Sequence, residues 1–340
     1  MLEALGVRIP VLAAPMAGGP TTVEMVLAAA GAGSLGFVAG GYKSAEALAE
    51  QIRAVRAQTG TFGVNLFVPN PVPVDAAEFR RYATAIAPEG AAHGLDLTGA
   101  AIIEDDDAWA AKVDLLAADP VPVVSFTFGL PDAGSLDRLR RAGSLLVQTV
   151  TSVEEARLAV EAGMDALAVQ SSHAGGHSGT FTPRQRPAER PLPELLAAVR
   201  EAVAVPLLGA GGVSGPDDVA AALKAGAEAV AVGTLLLLTP ESGANSTYRA
   251  ALVAKRTEPT VVTSAFTGRP ARGIRNEFTD RWTAGAPVGY PAVHYLTTGM
   301  RRAAAAAGDA ERLHLWAGTG HAAVAERPTA AVLTALTDRL

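Results

Sequence analysis

The chain has 340 residues, a length that suits one large domain carrying an insertion. Apolar residues make up 49% of it and its formal net charge is −6, so it can build a sizeable core and lacks the basic excess of a nucleic-acid binder. It contains no cysteine, which removes disulfides, thiolate metal sites, iron–sulfur clusters and thiol nucleophiles together and fits a cytoplasmic protein. No uncharged apolar stretch reaches about 18 residues, so no membrane span is expected. The apolar run at 11–14 is short and leads into a Pro/Gly turn, unlike a secretory signal.

Strands are predicted, in chain order, near residues 11–14, 35–39, 62–66, 122–127, 145–149, 166–170, 206–210 and 229–233. Each is a short apolar run without alternation, the pattern of a strand buried on both faces of a parallel sheet. Several follow a helical stretch ending in Ala-Gly, as at Ala32-Gly33, Ala142-Gly143, Ala162-Gly163 and Ala225-Gly226. Glycine there suits the left-handed position that ends a helix. The segments EAGMDALAVQ and KAGAEAVAVG, around Gly163 and Gly226, are close copies. Helix starts are marked by the capping-box spacings Thr21 to Glu24 and Ser152 to Glu155, and by Pro216 followed by Asp217 and Asp218.

Eight strands alternating with helices predict an α/β fold, a closed (βα)8 TIM barrel with a small, mainly helical cap. Residues 67–120 are long for one connection and predict an extra helix or lid. Residues 1–240 are read as the barrel, completed by a C-terminal helix within about 311–340. Residues 241–310, with PARGIRNEF and GYPAVHY, are read as the helical cap or substrate segment.

Active sites of such barrels lie at the C-terminal ends of the strands. Here those ends carry Ala14, Pro15 and Met16; Gly40, Gly41 and Tyr42; Asn65; Ser125 to Gly129; Gln170 with SSHAGGHSG; Gly211 and Gly212; and Gly233 and Thr234. The last two pairs follow the strands whose loops hold phosphates in such barrels, where backbone N–H groups approach the oxygens closely. Simple tight turns are the alternative reading.

The loop 170–179 is the sharpest feature, with His173 and His177 on either side of two glycines. The glycines argue against the helical His pair of a zinc site, and no metal is expected. His177 is read as an acid or base held over a cofactor, or as a hydrogen-bond donor within the loop. His93, His314 and His321 default to surface or structural roles, with His294 a possible exception. The acidic run 104–107 is read as a solvated helix start. The G-x-G-x-x-G at 31–36 precedes a strand, the wrong context for a dinucleotide fingerprint.

These segments resemble the nitronate monooxygenases, formerly called 2-nitropropane dioxygenases. The resemblance rests on APMAGGP, FGVNLF, VVSFTFG, AVQSSHAGGHSG, GAGGVSG, AVGT and the stretch from GYPAVHY to LWAG, and spans almost the whole chain. It implies a barrel with non-covalent FMN and oxidation of an alkyl nitronate by O2 to a carbonyl compound and nitrite. It implies that Asn65, Gln170 and the backbone near Met16 approach the isoalloxazine and ribityl groups, and that Gly175, Gly212, Ala231, Val232, Gly233 and Thr234 hold the ribityl chain and phosphate. The neighbouring strand-end residues Ala14, Pro15, Gly176 and Gly211 complete the expected cofactor set. The family's active-site histidine falls on His177. Tyr290, His294, Tyr295 and Trp316 are candidate walls of the substrate site. In the loop, Ser171 and His173 stand where the family has glycine and an acid, and Arg301 and Arg302 stand where it has a lysine. A small-molecule nitronate and O2 are the expected partners, with no nucleic acid or membrane, in a monomer or homodimer. The rival readings are an FMN-dependent NADH enoyl-thioester reductase and a flavin-free phosphate-binding barrel without turnover.

Overall fold

A computed structural model describes residues 1–69 and 73–340. Its strands, in chain order, are β1 (Val11–Ala13), β2 (Gly36–Ala39), β3 (Phe62–Phe67), β4 (Val123–Thr127), β5 (Leu145–Val150), β6 (Ala166–Gln170), β7 (Gly176–His177), β8 (Leu207–Ala210), β9 (Ala229–Val232), β10 (Thr260–Thr263) and β11 (Ala271–Ile274). The helices are α1 (Val23–Gly31), α2 (Ala45–Arg56), α3 (Ala76–Ala85), α4 (Ala87–Ala91), α5 (Trp109–Ala118), α6 (Ala133–Arg141), α7 (Val153–Glu161), α8 (Leu192–Ala202), α9 (Pro216–Lys224), α10 (Ser246–Ala254), α11 (Glu277–Trp282), α12 (Ala292–Ala307) and α13 (Thr329–Ala335).

Strands β1 to β6, β8 and β9 form a closed barrel. Its pairs are parallel, and β9 returns to β1 in the register Val11 to Val230, Leu12 to Ala231 and Ala13 to Val232. These are the eight predicted strands, each to within a residue at either end. The interior holds Leu12, Leu35, Phe37, Val123, Val147, Leu208 and Ala229, closed at the bottom by Leu2. The outward faces of the strands pack against the helices in a larger core. Burying one such Leu, Val or Phe contributes roughly 1.5–3 kcal/mol. The two copied turns behave alike: Gly163 and Gly226 have φ of 83° and 104°, the left-handed geometry that ends α7 and α9.

The helix starts follow their chemistry. Thr22, one residue later than the spacing predicts, caps α1 by accepting from Met25 N. Ser152 caps α7 through Glu155 N, while the Glu155 carboxylate binds Thr151, Thr180 and Phe181. That ties α7 to the end of the loop carrying His177. Asp218 accepts from the N–H groups of Ser214 and Gly215 ahead of α9.

Between β3 and β4 the chain inserts α3 and α4 before α5. Phe79, Tyr82 and Ile86 share a second core with Phe266, Phe278, Val293 and Met300. The insertion therefore packs on the segment 241–310. That segment is mainly helical but also holds β10 and β11, which the sequence reading does not anticipate. They pair antiparallel, and β11 pairs with β7, aligning Ala271 with His177 and Arg272 with Gly176. At the C-terminus α13 lies against α1 and β1, burying Leu333 and Leu336 in the barrel core.

The acidic run is a largely solvated helix start, as expected: Glu104, Asp105 and Asp106 are exposed just ahead of α5, and only Asp107 is half-buried. Asp107 lies 2.7 Å from the buried Lys112 Nζ and accepts from Tyr42 N at 2.8 Å. Glu104 accepts from Val74 N, and Asp105 from the Tyr295 hydroxyl. Partners distant in sequence claim three of the four carboxylates, so the run braces the barrel mouth. Among the described residues no helix is long and apolar enough to cross a membrane.

Candidate active site

At the mouth, the ends of β8 and β9 face the loop 173–176 and the segment 317–320. A Cβ on Gly175 would stand 2.5 Å from Gly318 N and 2.6 Å from the carbonyl carbon of Ala317. Only glycine permits that approach. Gly318 N donates to Thr234 Oγ1 at 3.0 Å, fastening the segment to the end of β9. Thr319 N donates to His173 O at 3.1 Å. Gly233 lies against Met16, and Ala14 N donates to Val232 O at 2.9 Å. Among the described residues the N–H groups of Gly212, Val213 and Gly233 find no acceptor. Free N–H groups at two adjacent strand ends fit a phosphate of a bound cofactor.

Beside this end is an aromatic chamber around His177. Its ring centroid is 5.6 Å from Phe128, 5.7 Å from Tyr290 and 5.6 Å from Trp316. Its Nε2 lies 2.9 Å from Thr267 Oγ1. Tyr42 stacks on His294 at 4.3 Å, and the Tyr290 hydroxyl reaches the Tyr42 hydroxyl at 3.3 Å. Tyr42 and Phe128 hold φ of 64° and 88°, a costly conformation for bulky residues that recurs at functional sites. A shallow depression lined by Tyr42, Phe67, Asp105, Tyr290 and Tyr295 among others lies beside the chamber.

Two buried guanidinium groups flank the chamber. Arg269 lies 4.1 Å over the Phe128 ring, bonds the carbonyls of Ser178 and Thr180, and leaves Nη1 without a partner. Arg301 bonds Thr297, Thr298 and the carbonyl of His294, and sits 3.3 Å from both His294 Nδ1 and His314 Nε2. Among the described residues neither has a carboxylate within ion-pairing distance. Burial lowers each guanidinium to about 10. Burial and the two arginines bring His177 down to about 3, and burial with Arg301 brings His294 to about 2. His314 is pushed well below its ordinary value by burial and Arg301. The rings are therefore neutral near pH 7, and the chamber carries net positive charge.

The residues singled out in the sequence meet unevenly. Tyr290 and Trp316 touch the His177 ring, His294 touches Tyr290, and Tyr295 stands at the rim, edge-on to His294 at 5.3 Å. Asn65 donates its amide to Ser125 and Thr127 on the neighbouring strand β4. Gln170 turns onto its own loop, donating to His177 O at 3.1 Å and accepting from Gly179 N at 2.7 Å. It thus fixes the backbone that presents His177. Sequence reasoning missed Arg269 and Thr267, within TGRPARG, and assigned no role to Phe128 or Tyr42. An arginine set among small residues beside proline was the available signal for Arg269.

A closed parallel barrel at whose mouth the segment 241–310 sets two guanidiniums beside a neutral histidine has the architecture of a barrel enzyme. The chain belongs to the nitronate monooxygenase family: that family's model matches residues 1–337. A probable nitronate monooxygenase of Staphylococcus aureus (strain JH9) is 33% identical over 344 residues, covering 100% of this chain and 96% of the relative. A solved nitroalkane oxidase from Streptomyces ansochromogenes is 42% identical with a TM-score of 0.89, covering 98% of this chain and 96% of its own. FabK from Thermotoga maritima is 25% identical with a TM-score of 0.75, covering 98% and 93%. The chain is accordingly a flavin-dependent oxidoreductase of the nitronate-oxidising kind.

Proposed function

We propose that this enzyme uses FMN to oxidise alkyl nitronates, such as propionate 3-nitronate, with O2 to a carbonyl compound and nitrite. The observation that carries the reading is the pair of buried, unpaired guanidiniums beside His177, Arg269 and Arg301. A buried charge without a partner is costly, so such a pair is expected where an anion binds. An anion about 6 Å from one guanidinium gains about 3 kcal/mol at an effective dielectric constant of about 20. A nitronate is a small anion with an apolar tail, and the rings of Phe128, Tyr290 and Trp316 suit the tail.

Support for FMN comes from the phosphate end. The free N–H groups of Gly212, Val213 and Gly233 and the side chain of Thr234 would hold the phosphate. Gly175 and Gly176, with Gly211, let the loop approach the ribityl chain. Asn65, Met16 and the loop fixed by Gln170 would border the ring system. When bound, the flavin accepts electrons from the substrate and passes them to O2. The protein's residues orient the anion, exclude water and hold the α-carbon beside His177. In this reading residues 1–240 with the C-terminal helix bind the cofactor, and residues 241–310 supply the substrate cap.

Replacing His177 by Asn tests the assignment. The variant is expected to retain FMN and to reduce it at least about a hundredfold more slowly with a neutral nitroalkane, whose α-proton a base must remove before oxidation. Wild-type rates in that variant would contradict the role given to His177.

A further inference from the structure

The hydrogen bonds around Thr267 constrain which nitrogen of His177 carries the proton. Thr267 is fully buried, and its Oγ1 donates to Arg269 O at 3.3 Å. Arg269 is also fully buried, and among the described residues its carbonyl receives no other hydrogen bond. A buried carbonyl is almost always satisfied, so the single hydroxyl proton is committed there. With the hydroxyl proton so placed the oxygen of Thr267 accepts, and His177 Nε2, 2.9 Å away, is assigned as the donor. His177 Nδ1 has no partner among the described residues and is not one of the polar atoms sealed from solvent.

We infer that Thr267 is a positioning residue that fixes His177 as the Nε2–H tautomer and leaves Nδ1 as an unshared acceptor for the substrate. The inference rests on the nitronate-oxidising reading and deepens it. A neutral imidazole held this way cannot donate from Nδ1 to a nitronate oxygen. It can take a proton from the α-carbon of a neutral nitroalkane. The C–H bond breaks and the proton goes to Nδ1. The C–H electron pair forms the C=N bond, and the nitro π pair moves onto oxygen. The resulting nitronate is the species that the proposed reaction oxidises, and Arg269 and Arg301 stabilise it as it forms. No oxidant is consumed in this step.

The test uses the FMN-loaded protein without oxygen, followed by bleaching of the flavin. Thr267→Val is expected to slow reduction by neutral nitroethane about tenfold or more and to change reduction by preformed ethyl nitronate by less than about twofold. Thr267→Ser, which restores the hydroxyl, should recover the nitroethane rate. Equal slowing with both substrates, or no slowing with either, would overturn the inference. Bleaching of the wild type by the nitronate but never by nitroethane would also overturn it, leaving the proposed function intact. Bleaching by neither would remove the functional reading itself. Should the valine variant not fold, the nitrogen-15 spectrum of wild-type His177 reports the tautomer directly. Protonated Nε2 is expected, and protonated Nδ1 would overturn the proposal.

Discussion

His177, His294 and His314 lie near two guanidiniums that, among the described residues, have no carboxylate within ion-pairing distance, and this shapes how the single residues titrate. Each ring takes up its proton at a lower pH in the folded chain than its ordinary value of about 6.5. Between those values the unfolded chain binds more protons. The stability from neutral burial is therefore fully present above about pH 6.5 and is lost as pH falls toward the folded values. Each ring steepens the loss by at most about 1.4 kcal/mol per pH unit. The melting temperature should fall on acidification from pH 6.5 to 4.5, and His314→Gln should flatten that fall; an unchanged slope would contradict the assignment. Arg301 offers a second test. Arg301→Met should raise KM for the nitronate about tenfold with FMN content unchanged, and Arg301→Lys should raise it less. Steady-state kinetics with an unaltered KM would deny the guanidinium its part in binding. Neither arginine's role was legible in the sequence, because burial of a charge away from any acid is a property of the assembled cap.

The elements divide along a similar line. Barrel strands announce themselves by short apolar runs after Ala-Gly, a signal that local chemistry enforces. Strand β7 has two residues, and its existence depends on β11, which lies far along the chain. Nothing near Gly176–His177 marks it as a strand. Yet this pairing, with the Gln170 amide, holds the His177 backbone in place. Gly175→Ala should spread the loop from the segment at Ala317 and Gly318 and weaken FMN retention more than about tenfold, read by fluorescence titration. Retention unchanged would show that the close approach does not matter for the cofactor. The acidic run makes the complementary point. Its first three carboxylates are exposed as its composition suggests, while Lys112, one turn into α5, buries its ammonium against Asp107. Lys112→Met should destabilise the protein by about 3 kcal/mol in denaturant melts, since it leaves Asp107 without its cation. A loss below about 1 kcal/mol would return Asp107 to a surface role.

In the molecule as a whole, the barrel supplies the free N–H groups at the ends of β8 and β9, and the segments beyond it supply charge and aromatic walls. The barrel and its strand ends were legible because the (βα) repeat places them by counting. The chamber was legible only in part. Tyr290 and His294 in the cap and Trp316 just beyond it stood out as aromatic residues, whereas Arg269 and Thr267 become visible only when β11 folds onto the loop 170–179. The proposed function requires that an anionic nitronate alone deliver electrons to the bound flavin. The anaerobic absorption spectrum of the purified protein, mixed first with propionate 3-nitronate and then with NADH, tests it most directly. Bleaching on addition of the nitronate is the predicted result. Bleaching only after NADH would contradict the claim and favour an enoyl-thioester reductase.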